Sequence, residues 1–420
     1  MTWGRICRRA PAYAIARPRQ GSPTTLSRRG VGRMLWAMFG YECIETDGRA
    51  RRGRLTTAHG EVATPVFMPV GTAGSVKGVT AEQLRGAGVQ MVLGNTYHLM
   101  LRPGAETVAR LGGLHRLMAW DGPILTDSGG YQVFSLAHLR EVTDDGVTFR
   151  SHIDGSRVAL TPERAIEVQR LLGADVIMQL DECPPAGASK DHVAEAVRRS
   201  IRWAKRCKEA WKTTVTVPGL QALFGIQQGG VFGDLRADSA AALVELDLPG
   251  YAVGGLSVGE GHNALCGVLD EMDAQFPAGR ARYVMGLGEP RDLLAAVLRG
   301  ADMFDCVLPT RNGRNAQAFT WHGRLRLRNA RWATDPRPIE ETCDCYTCQN
   351  YSRGTIRHLF QAKEMLGPTL VSLHNLRFFT SLMAAIRRAI SAGDLVASAE
   401  RWLETIYADE AASGRATDCD

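Results

Sequence analysis

The stretch that decides the fold is PERAIEVQRLLGADVIMQLDECP, residues 162–184. Its first half, Pro162–Leu172, has apolar residues at helical spacing, and the apolar run Val176–Leu180 that follows predicts a buried strand. This strand ends in acidic residues, and a second helical pattern begins at Lys190. Because a helix that alternates with a buried strand is the repeating unit of a parallel sheet, the stretch predicts an α/β fold.

The same alternation recurs along the chain after residue 60. Eight apolar runs qualify as strands, and most are bounded by Gly or Pro and followed by a helical pattern. Eight such units over about 250 residues predict a (β/α)8 TIM barrel, and a doubly wound open sheet is the alternative. The predicted strands are Pro65–Val70, Met91–Gly94, Ile124–Thr126, Val176–Leu180, Leu223–Ile226, Ala252–Val253, Tyr283–Met285 and Met303–Phe304. The predicted helices among them are Thr80–Ala87, Pro162–Leu172, Lys190–Lys212, Leu235–Leu246 and Pro290–Leu298.

Two segments depart from this alternation. Residues 147–160 alternate in polarity around an Asp-Gly turn, which predicts a β-hairpin inserted after the third barrel strand. Beyond residue 310 the alternation stops, and helices are predicted at Thr355–Leu366, Leu376–Ser391 and Asp394–Tyr407. We therefore divide the chain into a disordered Arg-rich extension (1–40), a barrel (41–310), a zinc-binding helical part packed on the barrel (311–410) and a tail (411–420).

The net charge of +6 is unevenly distributed. Residues 1–40 contain eight Arg and no acidic residue, so the remainder carries a formal charge of −2. This composition fits an organelle transit peptide; a disordered extension, or an upstream start with Met34 or Met38 as the true one, is the favoured alternative. We exclude the segment from the predicted fold.

Composition also restricts the class of protein. With 420 residues and 45% hydrophobic content, the chain is long enough for one large domain or two ordinary ones. No apolar run approaches the length of a membrane-spanning helix. Seven of the ten cysteines are scattered without the spacing of a disulfide framework, which predicts a reducing, cytoplasmic location.

The clearest metal-binding motif is Cys343-Asp-Cys345-Tyr-Thr-Cys348, with His374 following after 25 further residues. Three thiolates and an imidazole can close a tetrahedral zinc site. Because four protein ligands leave no open coordination position, we expect one structural zinc ion per subunit and chemistry elsewhere in the chain.

Three acidic side chains follow predicted barrel strands, where the active sites of such barrels lie. Asp127 follows the third strand, Asp181 the fourth and Asp305 the eighth. Each one alone is typical of a turn, a cap or an ion pair. Together they have the chemistry for glycosyl transfer, in which one carboxylate attacks a sugar carbon and another acts as acid and base. The third can accept both N–H bonds of a guanine-type edge.

Other residues at the strand ends fit a pocket for a planar base. Gln228 and the Gly255 amide can meet a carbonyl oxygen. Tyr131 and Met285 can sandwich a ring, and plain barrel packing is the alternative for both.

A basic stretch follows the eighth strand. Residues 306–334 contain six Arg and no acidic residue. Such a stretch is usually a solvated surface, but this one begins beside Asp305 and leads into the zinc motif. It therefore predicts a footprint for a phosphate backbone that begins with Arg311 and Arg314.

Five longer motifs accompany these residues: LTDSGGYQVFS (125–135), DEC (181–183), GIQQG (225–229), YAVGGLSVGE (251–260) and DMFDCVLPTR (302–311). They resemble the queuine tRNA-ribosyltransferase family of tRNA-guanine transglycosylases, and the likeness runs from about residue 41 to 407. The resemblance implies exchange of the guanine at the anticodon wobble position for a 7-deazaguanine. The implied substrates are tRNAs with GUN anticodons, those for aspartate, asparagine, histidine and tyrosine.

The resemblance also implies roles for single residues. Asp305 corresponds to the nucleophile that attacks the ribose and forms a covalent tRNA intermediate, and Asp127 to the general acid and base. The implied cofactor is one structural zinc ion. Its implied ligands are Cys343, Cys345, Cys348 and His374, and the implied base-binding residues are Asp181, Gln228, Gly255, Leu256, Tyr131, Met285, Cys183 and Val258.

Cys183 and Val258 resemble the bacterial branch of this family, whose eukaryotic members have a smaller Gly at the position of Val258. The bulkier Val258 implies 7-aminomethyl-7-deazaguanine (preQ1) as the incoming base, with the Leu256 carbonyl available to its ammonium. The branch also implies a homodimer with the zinc region at its interface. Residues 184–189 differ from the family's usual loop, so its contacts are not carried over.

Three alternatives remain open. An archaeal-type enzyme acts on the tRNA D-arm, but it normally carries further RNA-binding domains, for which residues after 407 leave no room. A non-catalytic partner subunit would lack the nucleophile and the full set of aspartates. An unrelated glycoside hydrolase on a zinc-stabilised barrel would not be expected to carry the five motifs uninterrupted.

Overall fold

Sixteen strands are present in the computed structural model, which describes residues 39–136, 140–214, 220–256 and 259–408. In chain order they are β1 (Gly40–Asp47), β2 (Ala50–Thr57), β3 (Gly60–Thr64), β4 (Val66–Gly71), β5 (Val92–Gly94), β6 (Ile124–Thr126), β7 (Arg140–Thr143), β8 (Gly146–Arg150), β9 (Arg157–Leu160), β10 (Val176–Met178), β11 (Ala222–Gln227), β12 (Gly250–Val253), β13 (Ala281–Val284), β14 (Met303–Cys306), β15 (Gln317–Thr320) and β16 (Gly323–Arg326). Strands β4 to β6 and β10 to β14 close into one barrel, in which all pairs are parallel. All eight predicted strands are confirmed within two residues at either end, and the closure excludes the open sheet.

Helices surround the barrel and make up most of the C-terminal part. The α-helices of the described residues are α1 (Ala81–Gly86), α2 (Thr96–Leu101), α3 (Ala105–Arg110), α4 (Gly113–Met118), α5 (Gly130–Leu136), α6 (Pro162–Leu172), α7 (Lys190–Thr214), α8 (Gly233–Glu245), α9 (His262–Asp270), α10 (Met272–Gln275), α11 (Pro290–Leu298), α12 (Leu308–Arg314), α13 (Tyr346–Asn350), α14 (Arg353–Gln361), α15 (Leu366–Ala392) and α16 (Leu395–Ile406). A 3-10 turn spans Ala330–Trp332. Within the described ranges, no helix is both long enough and apolar enough to cross a bilayer.

Local signals explain why helix α6 has the bounds that the sequence predicts. Thr161 caps its first turn by accepting a 3.2 Å hydrogen bond from the Arg164 amide. Pro162 occupies the first helical position, where a missing N–H costs nothing. Gly173 ends the helix with a φ of 76°, a left-handed conformation that glycine adopts without strain. Strand β10 begins three residues later.

An antiparallel sheet of β1, β2 and β3 closes the amino-terminal end of the barrel. Leu55 and Val62 from this sheet pack among the apolar side chains that fill the barrel interior. Arg51 forms a buried ion pair with Asp302, which also accepts a 2.6 Å hydrogen bond from the Tyr41 hydroxyl. The sequence reading did not predict this sheet. It seals the end of the barrel from which the strands start.

The predicted inserted hairpin is confirmed and is part of a larger sheet. Strands β8 and β9 pair antiparallel, with Val147 opposite Leu160. A third strand, β7, pairs with β8 and was not predicted, because its four residues are mostly polar and exposed. The insertion follows α5, as expected for a segment after the third barrel strand.

Two of the three C-terminal helices differ from the predicted ones: α14 ends at Gln361 and not at Leu366, whereas α16 lies within one residue of its predicted bounds. Helix α15 begins at Leu366 and not at Leu376, so His374 lies within a helix of 27 residues. Pro368 does not interrupt this helix, because it stands in the first turn, where proline is tolerated. Apart from residues 39 and 40, the predicted extension (1–40) and tail (411–420) fall outside the described ranges.

Candidate active site

A cavity of about 440 Å³ opens among the residues that follow the barrel strands. The strands are parallel, so their carboxyl ends meet at one mouth and bring distant residues together. Arg314 does not line the cavity, and Val258 lies outside the residues that the structure describes. The predicted residues that line it are Asp127, Tyr131, Asp181, Cys183, Gln228, Gly255, Leu256, Met285, Asp305 and Arg311.

Asp305 is held through one of its two carboxylate oxygens. The Tyr283 hydroxyl and the Gly286 amide, 2.8 Å away, both donate to Oδ1. Its Oδ2 accepts no hydrogen bond from any residue in the described part of the chain. Burial raises the pKa of Asp305, and the two donors act against that rise. The carboxylate is therefore fixed in orientation while one oxygen stays available to a substrate.

Asp127 is buried, and both of its carboxylate oxygens are occupied. Asn95 donates to Oδ2 at 2.6 Å, and the Thr96 amide donates to Oδ1 at 2.7 Å. Burial raises the pKa of Asp127 to about 7, and the nearby negative charge of Asp305 contributes to the rise. A carboxyl group with this pKa can both give and take a proton near neutral pH.

Asp181 is positioned by two side chains from neighbouring strand ends. Gln228 donates from Nε2 to its Oδ2 at 2.7 Å, and the Ser128 hydroxyl donates to Oδ1 at 2.9 Å. Burial raises the pKa of Asp181 to about 6. Gly130 must lack a side chain, because a Cβ there would lie 2.6 Å from the Asp181 carbonyl oxygen. The Ser-Gly-Gly motif after Asp127 thus helps to position Asp181.

Gly255 lets its backbone lie close to the side chain of Gln228. Its φ is +67°, and a Cβ at this position would lie 2.6 Å from Gln228 Oε1. That oxygen is buried and has no hydrogen-bond partner among the described residues. A planar molecule with polar edges can therefore reach Asp181, Gln228 and the backbone of Gly255 together.

The remaining lining side chains are mostly apolar. Tyr131 is 48% exposed at the rim, Met285 is half-buried, and Leu256 is buried. Burial raises the pKa of the Cys183 thiol to about 12, so the thiol stays protonated. A protonated thiol is a poor nucleophile, which leaves nucleophilic chemistry in this cavity to the carboxylates.

The two arginines predicted to meet a phosphate backbone lie on α12, directly after Asp305. Arg311 is exposed and lines the cavity, whereas Arg314 is half-buried with its Nη1 unpaired among the described residues. Not every arginine of the basic stretch 306–334 is available to bind a phosphate. Arg324 is paired with Glu289, while Arg326 is exposed.

Cys343, Cys345, Cys348 and His374 converge, and their ligand atoms all lie within 4.8 Å of one another. The His374 Nδ1 lies 3.3 Å from Cys348 Sγ and 3.8 Å from Cys345 Sγ. In a tetrahedral zinc site, typical bond lengths separate such a nitrogen and sulfur by about 3.5 Å. The His374 Nε2 bonds the Phe319 carbonyl oxygen at 2.7 Å, which leaves the Nδ1 lone pair for a metal. The four residues therefore fit a closed structural metal site.

Sequence reasoning missed the residues that hold the carboxylates. Asn95 and Thr96 directly follow the second barrel strand, so the rule that located Asp127 could have found them. Ser128 lies within the LTDSGGYQVFS motif, which by itself does not indicate a bond to Asp181. Tyr283 carries no such signal, because it lies inside β13 and resembles any other aromatic core residue.

Comparison with known proteins identifies the family. The model of the family described as queuine tRNA-ribosyltransferase matches residues 46–408. The queuine tRNA-ribosyltransferase of Cereibacter sphaeroides is 55% identical over 357 residues, which cover 85% of this chain and 94% of that protein. That of Ruegeria sp. is 53% identical over 370 residues, covering 88% and 96%, and that of Thioalkalivibrio sulfidiphilus is 52% identical over 367 residues, covering 87% and 96%. The chain therefore belongs to the queuine tRNA-ribosyltransferase family, whose members are pentosyltransferases.

Proposed function

We propose that this protein exchanges the guanine at the wobble position of tRNAs with GUN anticodons for preQ1, a step of queuosine biosynthesis. The observation that carries the proposal is the pair of carboxylates in one cavity, Asp305 with a free oxygen and Asp127 with a pKa of about 7. Family membership supplies tRNA and ribosyl transfer, since the relatives are named for both.

The exchange proceeds in two displacements at the anomeric carbon of the ribose. In the first, Asp305 Oδ2 forms a bond to this carbon while the bond to guanine breaks, and Asp127 protonates the leaving base. In the second, Asp127 takes a proton from the incoming base, whose nitrogen attacks the same carbon and releases Asp305. Two inversions give net retention, and both steps use only carboxylates, so no cofactor takes part in the bond changes.

Asp181, Gln228 and Gly255 bind the base in this proposal. Asp181 accepts the N–H groups of its guanine-type edge, because a carboxylate can accept two parallel hydrogen bonds. Gln228 donates to Asp181 with one N–H and keeps the other for a carbonyl oxygen of the base, together with the Gly255 amide. Tyr131 and Met285 stack on its two faces.

The choice of preQ1 over queuine rests on residues 256–258. Leu256 lies against the cavity, and its carbonyl oxygen would accept a hydrogen bond from the preQ1 ammonium. Val258 would fill the space that the larger queuine side chain needs. A competition assay with labelled guanine, preQ1 and queuine tests this choice. Replacing Val258 with Gly should improve exchange with queuine, and an unchanged preference would contradict the assignment.

The proposal also covers tRNA binding, the metal ion, the homodimer and the location. Arg311 and Arg314 contact the tRNA backbone next to the reacting nucleotide. The Cys343, Cys345, Cys348 and His374 cluster holds one structural zinc ion, and the zinc region contributes to a homodimer interface. The scattered cysteines, of which all described ones are free thiols, support a cytoplasmic location.

Asp305→Ala tests the central step. This variant should lose guanine exchange and the denaturant-resistant adduct between protein and tRNA, while keeping tRNA binding. Asp238→Asn, an exposed carboxylate on α8, is the matched control and should keep both. Full turnover by Asp305→Ala, or an adduct that survives the substitution, would rule out Asp305 as the nucleophile.

A further inference from the structure

A second cluster of potential metal ligands lies at the end of the barrel opposite the cavity. His59 stands in the turn between β2 and β3, His115 lies in α4, and Asp175 directly precedes β10. Asp127 and Asp305 lie at the carboxyl ends of β6 and β14, whereas Asp175 accepts a hydrogen bond from the amide of Ile124, the first residue of β6. One ligand atom from each of the three side chains lies within 4.8 Å of the other two.

The geometry brings three potential ligand atoms close together. His59 Nδ1 lies 2.7 Å from Asp175 Oδ1, and His115 Nε2 lies 3.3 Å from Asp175 Oδ2. The two imidazole rings stack with centroids 3.6 Å apart and planes 20° apart.

The hydrogen bonds within this cluster do not satisfy all of its buried polar atoms. Asp175 is fully buried, and its Oδ2 accepts a 2.8 Å bond from the Ile124 amide. His115 Nε2 is also buried, and its alignment with Asp175 makes no hydrogen bond, so it has no partner among the described residues. A buried nitrogen without a well-aligned hydrogen bond is unusual in a folded protein.

We propose that His59, His115 and Asp175 bind a divalent transition metal ion, with zinc as the expected ion. Imidazole nitrogen and carboxylate oxygen are ligands that zinc accepts, and two of one with one of the other occur in zinc sites. Ligand atoms around a tetrahedral zinc lie about 3.3 Å apart, which matches the contact of His115 with Asp175. The 2.7 Å contact of His59 with Asp175 is shorter and would have to lengthen when the ion binds. The fourth position is open to water, since the His59 side chain is 40% exposed.

The ion would join three parts of the fold that the chain connects only at long range. His59 belongs to the sheet that closes the barrel, His115 to a short helix outside it, and Asp175 to the barrel itself. Binding would therefore stabilise the closed end of the barrel without touching the catalytic cavity. Its ligand set, which lacks sulfur, distinguishes it from the cluster of Cys343, Cys345, Cys348 and His374.

Cobalt titration of the full chain, loaded beforehand with one zinc ion per subunit, tests the proposal. A second equivalent should bind and give weak visible d–d bands without the thiolate-to-cobalt charge-transfer band of a cysteine site. His59→Gln and His115→Gln should each lose this second equivalent. His192→Gln, an exposed histidine on α7, should keep it.

A thermal measurement keeps the test independent of any folding defect in one variant. Excess zinc should raise the melting temperature of the wild-type protein and of His192→Gln, but not that of His59→Gln. His59 is on an exposed turn, so its substitution leaves the packing of the barrel intact. Failure of the zinc-loaded protein to bind cobalt, a charge-transfer band, or binding retained in both cluster variants would overturn the proposal and leave an ordinary Asp–His hydrogen bond.

Discussion

At the scale of single residues, the protein gives chemically identical side chains different properties. Asp305 has one oxygen fixed by Tyr283 and the Gly286 amide, whereas both oxygens of Asp127 are held. Burial raises the pKa of both, and for Asp127 the value reaches about 7. The difference fits the proposed roles, because a nucleophile needs a free oxygen and an acid and base needs a pKa near the working pH.

The pH dependence of the first displacement should follow Asp127. Below a pH of about 7 its carboxyl group is protonated and can protonate the leaving guanine; above it the proton is lost. Single-turnover release of labelled guanine from tRNA should therefore slow as the pH rises through this value. Asp127→Asn should lower the rate by roughly 10²–10⁴-fold and remove this dependence. A variant that kept the wild-type profile would transfer the acid role to another group.

Tyr283 is expected to act by positioning Asp305. Tyr283→Phe removes a hydrogen bond to the charged carboxylate, so the pKa of Asp305 should rise further and its orientation should loosen. We expect kcat to fall by about 10–100-fold, from the loss of roughly 1.5–3 kcal/mol. KM for tRNA should change little, and the acidic limb of the pH profile should move to higher pH. If KM for tRNA rose by the same factor as kcat fell, and the acidic limb of the pH profile did not shift, Tyr283 would have only a structural role.

At the scale of secondary-structure elements, the parallel barrel could be predicted because each strand is a short apolar run with a turn signal behind it. The aspartates could be located for the same reason, since strand ends of a barrel share one mouth. Strand β7 could not be predicted, because its side chains are mostly solvent-exposed and do not alternate between apolar and polar. The partners of the aspartates, such as Asn95 and Tyr283, depend on side-chain directions that only the closed barrel defines.

Helix α12 links the chemistry to the proposed tRNA contact, because it begins two residues after β14, the strand of Asp305. Arg311→Gln should weaken tRNA binding and reduce the salt dependence of the binding constant by about one counterion. Arg388→Gln is the matched control: Arg388 is exposed, and its neighbour Arg387 donates to the Pro65 carbonyl at the opposite end of the barrel. Equal effects of the two substitutions on the salt slope would contradict a specific role for Arg311.

At the scale of the whole molecule, the metal-binding cluster and the cavity are connected through α15. His374 bonds the Phe319 carbonyl in β15, and Asn375 donates to the Pro309 carbonyl in α12 at 2.9 Å. Gly313 of α12 packs so closely on α15 that a Cβ there would lie 2.5 Å from the Ser372 hydroxyl. The helix that carries Arg311 is thus held against the helix that carries His374 of the candidate metal site.

Loss of the metal should therefore damage tRNA binding before it damages the cavity. Cys345→Ala removes a buried ligand and should abolish zinc binding, lower the melting temperature and weaken tRNA binding, because α15 no longer supports α12. Binding of the free base should be less affected, since Asp181 and Gln228 belong to the barrel strands' own ends. Cys43→Ser, an exposed cysteine in β1, is the control and should behave as wild type. Zinc content, melting curves and separate titrations with tRNA and preQ1 measure these effects; a variant that lost base binding and tRNA binding equally would show that the cluster supports the barrel as a whole.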